Sequence, residues 1–97
     1  MRKSEIEWLR FKAVLTEDTL VEYQVHWTIK DIKGQERNYC CYFLELEQAD
    51  NFFAKKLGEK NTRHCLVLKR TLSPNESPSV RVETIHGLAH GKFYPNE

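Results

Sequence analysis

The stretch from Leu20 to Lys30 decides which folds are open to this chain. Tyr23, Val25, Trp27 and Ile29 alternate there with Gln24, His26, Thr28 and Lys30. A period of two places one set on each side of a β-strand, apolar on one face and polar on the other. A strand of this kind needs a neighbour, and the next residues supply one. Asp31-Ile32-Lys33-Gly34-Gln35 is a short loop in which Gly34 offers the positive φ of a tight turn. Residues 37–44 then resume the alternation, with Tyr39, Cys41 and Phe43 on one face and Tyr42 and Leu44 on the other. The pair predicts a β-hairpin.

The period then changes. Over residues 46–57, Ala49, Phe52, Phe53 and Leu57 recur at steps of three and four, which makes one apolar stripe on a helix. Glu47 and Asp50 come early and Lys55 and Lys56 late, an order that suits the helix dipole. Gly58 follows as a candidate C-terminal cap. Residues 63–72 return to strand character. A loop with Pro74 and Pro78 follows, and residues 79–85 alternate again. These two runs should pair antiparallel.

The N-terminal residues 5–15 carry two conflicting signals. Ser4 and Glu7 match a capping box, which marks a helix start. Leu9, Phe11, Ala13 and Leu15 alternate with Arg10, Lys12 and Val14, and this alternation tips the expectation to a strand. Residues 86–97 show no period. Because Phe93 and Tyr94 are aromatic, this tail is expected to dock on its own domain or on a partner. The chain of 97 residues is sized for one domain, 1–97. The expected class is α+β: one antiparallel sheet of about five strands, ordered β-β-β-α-β-β along the chain, packed against one main helix.

Cys40, Cys41 and Cys65 make an odd count, which argues against a disulfide framework. The basic start Met1-Arg2-Lys3 is followed by charges rather than an apolar run, so it does not read as a secretion signal. No stretch approaches the ~20 apolar residues of a membrane helix. A cytoplasmic protein without a membrane partner is expected.

Candidate chemistry is sparse. His26, Cys40, Cys41, His64, Cys65, His86 and His90 could ligate a metal, but the chain contains no Cys-x-x-Cys. His86 and His90 have helical spacing in a segment flanked by Gly87 and Gly91, where a helix is disfavoured. His64 and Cys65 are adjacent and project to opposite faces of a strand, whereas His26 could meet Cys40 or Cys41 across the hairpin. A nucleophile also needs a base, an oxyanion site and a cleft, and no glycine-rich elbow is present to build one. Glu45, Glu47 and Asp50 read as a solvated helix start rather than a general acid. No enzyme activity, metal or cofactor is expected.

Two binding readings are left. Charge is uneven: residues 1–54 carry −3, residues 55–70 carry +5 and residues 71–97 carry −1. The basic block of Lys55, Lys56, Lys60, Arg63, Lys69 and Arg70 could contact nucleic acid, although the pI of about 7.7 is well below that of a basic domain. The leading expectation is a protein partner or self-association as a homodimer. One helix covers only one sheet face, so the other face could expose aromatic side chains. Trp27, Tyr39, Tyr42 and Phe43 are the candidate contact residues. Salt separates the two readings, because phosphate contacts weaken steeply as counterions compete and apolar contacts do not.

Overall fold

The computed structural model describes residues 1–89 and 91–95. The elements in order are α1 (Lys3–Thr16), β1 (Leu20–Lys30), β2 (Glu36–Phe43), α2 (Leu46–Leu57), β3 (Thr62–Leu72), β4 (Val80–Ala89) and β5 (Lys92–Tyr94). The five strands form one antiparallel sheet in the order β2-β1-β3-β4-β5. The α+β class, the central hairpin and the helix over 46–57 agree with the sequence.

The hairpin register follows from its loop. Asp31 Oδ1 accepts from the backbone N–H of both Lys33 and Gln35, each at 2.9 Å, and Gly34 sits at φ +81°. This closure places Trp27 opposite Tyr39, Val25 opposite Cys41 and Tyr23 opposite Phe43. On the other side of β1, Trp27 pairs with Cys65 and Val25 with Val67. The alternation therefore lines up three strands' apolar residues on one face. The α2 stripe packs there, and Val25, Trp27, Ala49, Cys65 and Val67 form the buried centre. Beyond Val67 a bulge shifts the β3–β4 register, and His86 and Ile85 both serve this side. His86 Nε2 stands 2.8 Å from Asp50 Oδ1 and its ring packs on Phe53, so β4 is tied to α2.

Residues 5–15 are helical, not a strand. The N-cap is Arg2, two residues before Ser4, and the helix begins at Lys3, so Ser4 lies inside the first turn rather than capping it. Ile6 and Ala13 are buried while Trp8, Phe11, Val14 and Leu15 are exposed. With apolar groups on both its inner and outer sides, the helix mimics alternation in the sequence. It ends at Glu17 in the left-handed region (φ 58°), where Asp18 N–H bonds Ala13 O at 3.0 Å.

The last strands also depart from expectation. β4 runs four residues past Ile85, and residues 92–94 of the tail form β5, pairing Gly87 with Tyr94 and Leu88 with Phe93. Gly87 lies beyond the alternating run that ends at residue 85. It is instead required within the strand: a Cβ there would lie 2.4 Å from Leu66 Cδ2, 2.6 Å from Cys65 O and 2.8 Å from Leu66 Cα. Two of those atoms are backbone and cannot rotate away. Gly87→Ala is expected to destabilise the fold by about 1–3 kcal/mol through forced separation of β3 and β4. Urea unfolding measures this, and an unchanged midpoint would mean that the strands part at no cost.

Candidate interaction surface

The candidate contact residues do not share one surface. Trp27 is buried, stacked on Tyr39 at 5.5 Å and edge-on to Phe52 at 5.1 Å. Phe43 packs on Phe52 at 5.4 Å. Both belong to the α2 side of the sheet. Tyr39 lies on that side as well but is exposed. Tyr42 lies on the opposite side, beneath α1, with the Arg10 guanidinium 5.6 Å from its ring centre. Alternation told which residues shared a side of their strand; it did not tell which side α2 would cover.

The basic block is divided too. Lys56 Nζ bonds Glu59 and lies 5.0 Å above the Trp27 ring. Lys69 is 4.0 Å from Glu83 on the α2 side, whereas Arg70 points to the other side and stands 3.7 Å from Glu22. Lys55, Lys60 and Arg63 are exposed around the end of α2 and the start of β3.

The sheet side away from α2 carries a row of polar groups. Glu22 is fully buried there, bound by Arg10 through Nη2 and through Nε at 3.2 Å. Gln24 Nε2 donates to Glu22 Oε1 at 2.8 Å, and Gln24 Oε1 stands 2.8 Å from His26 Nε2. A carboxylate only accepts, so the Gln24 amide is oriented by Glu22 and its oxygen must accept from His26. Nε2 of His26 therefore carries the proton. Cys40 Sγ lies 3.5 Å from that same nitrogen. The Cys40–His26 encounter thus presents a donor to the sulfur, not a base. Burial also pushes the Cys40 thiol up and the His26 imidazole down, so both groups are held neutral. Burial raises the Cys65 thiol to about 11. This is the chemistry of a structural polar row rather than of an activated nucleophile. Of the other possible ligands, His86 is engaged by Asp50 and His90 lies outside the described residues.

The depressed His26 value has a testable sign. A histidine held neutral in the fold stabilises it above the unfolded value near 6.5, and that contribution is lost as pH falls from there towards the lower folded value. Wild type should therefore lose more unfolding free energy than His26→Gln between about pH 7.5 and 5. Parallel loss in both proteins would remove His26 as the cause.

Past His26 the row opens into a shallow cleft of about 270 Å³ lined by Thr28, Asn38, Tyr39, His64 and Leu66. At its other end the row anchors α1. Arg10 binds Glu22 and covers Tyr42, and Ile6 and Ala13 turn inward. Three fixed points determine which side of α1 faces out. That outer side carries Trp8, Phe11 and Leu15, with 61%, 55% and 67% of their surfaces exposed. Their spacing of three and four residues makes one continuous strip, and the Trp8 and Phe11 rings touch at 5.9 Å between centres. Three large apolar side chains on a rigid helix form a cohesive exposed patch. Sequence reasoning missed it because the segment was expected to be a strand; the 8-11-15 spacing was the available signal. Among the described residues, no helix is long and apolar enough to cross a membrane. Compared with protein-family models, curated proteins and solved structures, the chain finds no match.

Proposed function

We propose that this protein is an interaction module, not an enzyme, and that it engages a protein partner through the outer side of α1. The observation that carries this reading is the exposed strip of Trp8, Phe11 and Leu15 on a helix whose inner side is already satisfied. Exposure of three such groups in water is unfavourable, at roughly 1.5–3 kcal/mol for each side chain left unburied. Isolated exposed apolar residues are common; a contiguous helical row of them commonly marks an interface. The polar row beneath α1 serves this reading by fixing the helix in orientation, which lowers the entropy lost on binding.

Site-specific photo-crosslinking in the cells that make the protein tests the proposal. A photoreactive residue at position 15 should give discrete protein adducts. The same residue at position 55, on the exposed side of α2, should not. Absence of adducts at 15, or the same adducts at both positions, would overturn it.

A further inference from the structure

We infer that the occupant of this surface is a second copy of the chain, bound as an antiparallel α1–α1 pair; the inference rests on the proposed role of α1 as the contact helix. The exposed positions Ser4, Trp8, Phe11 and Leu15 follow one another at steps of four, three and four. This is the a/d spacing of a coiled-coil seam. Ile6 and Ala13 then fall at the f positions, the side diametrically opposite the seam, and these are the two buried residues of the helix. One face of α1 is thus committed to its own sheet and the opposite face is patterned for another helix.

Charge selects both the partner and its direction. Glu5 in the first turn suits the dipole of α1, but the residues at its extreme ends do not: Arg2 and Lys3 stand at the N-terminal end, and Glu17 and Asp18 at the C-terminal end. That order opposes the dipole of the helix itself, where acids favour the start and bases the end. It is compensated when a second α1 runs the other way, because each basic end then lies beside an acidic end. A parallel pair would place like ends together. With Trp8 packed against Phe11 of the second copy, Leu15 meets the small Ser4, and the e positions pair Glu5 with Lys12 across the two-fold axis, twice. Glu5 and Lys12 make no ion pair within the chain among the described residues and are exposed. An isologous contact of this kind closes on itself and ends at a dimer.

Analytical ultracentrifugation of the purified chain, up to about 1 mM, provides the test. Because a 14-residue helix offers a small interface, a weak and concentration-dependent dimer of twice the 11.5 kDa chain mass is expected. Glu5→Lys and Lys12→Glu each turn both e contacts repulsive and should weaken the dimer at least about tenfold. An equimolar mixture of the two variants makes both contacts attractive again and should restore association. Both substitutions are on the surface, and circular dichroism of each variant alone verifies the fold. A wild type that stays monomeric, a dimer indifferent to Glu5→Lys, or a mixture that stays monomeric would each overturn the inference. If position 15 still crosslinks to a different protein in cells while the purified chain is monomeric, the interaction role stands and the self-pairing falls.

Discussion

Trp27→Ala is expected to destabilise the protein by about 3–5 kcal/mol, the range for removing a large aromatic group from a packed core. Trp27 is 8% exposed, and its ring is contacted on several sides: Tyr39 stacked, Phe52 edge-on and the Lys56 ammonium above. It also joins three neighbouring elements, because its strand partners Tyr39 and Cys65 lie on β2 and β3 while Phe52 lies on α2. A domain of this size has roughly 5–15 kcal/mol in total, so the variant should be largely unfolded well below the wild-type midpoint. Denaturant unfolding reads the loss as a shifted midpoint with an unchanged slope. Trp27→Phe is the informative companion. The indole Nε1 is buried with no hydrogen-bond partner among the described residues, so phenylalanine removes an unpaired donor while keeping an aromatic ring. Its cost should be about 1 kcal/mol. Equal losses for alanine and phenylalanine would show that shape alone, not aromatic packing, holds this position.

The same residue shows how far the sequence could be read. Alternation in β1 and β2 identified the sides of each strand, and the 49-52-53-57 stripe identified α2. These signals are local and each element has a single buried side. The failures have the opposite character. α1 has two apolar sides, one for its own sheet and one turned outward, and their superposition resembles strand alternation. Gly87 is a local strand breaker that the tertiary structure demands, because β3 backbone occupies the space of a side chain. Trp27 and Phe43 were candidates for a contact surface because their exposure depends on which sheet side α2 covers, a choice made by packing and invisible in either strand alone. The Glu22–Gln24–His26 row was present as the polar half of β1, but its partner Arg10 lay in the segment expected to be a strand.

That partnership leads to the second large effect, the loss of Arg10. Glu22 has no exposure to solvent, and two guanidinium groups face it: Arg10 in direct hydrogen bonds and Arg70 at 3.7 Å, beyond hydrogen-bond length. The bond to Glu22 raises the Arg10 value, whereas burial lowers that of Arg70. For Arg10 the hydrogen bonds to the buried carboxylate outweigh its burial, whereas for Arg70 burial and the neighbouring Arg10 outweigh the attraction of Glu22. Arg10→Met keeps the aliphatic stem over Tyr42 and removes the charge. It should cost about 3–5 kcal/mol, because a buried carboxylate is left without its main partner. Glu22→Gln in the same chain removes the stranded charge, and the double variant should regain at least half of the loss, giving a coupling energy of at least about 2 kcal/mol in a double-mutant cycle. The damage should also be local. Amide exchange should accelerate over α1 before it does in β1 and β3, since Arg10 is a polar link that holds the helix to the sheet. If Arg10→Met costs less than about 1 kcal/mol, the level of a solvent-exposed pair, then Arg70 alone neutralises Glu22 and the inward Ile6 and Ala13 suffice to seat α1. If instead the helix detaches, the contact surface on its outer side is lost with it, and stability and association should fall together across Arg10 variants while Glu5→Lys changes association alone.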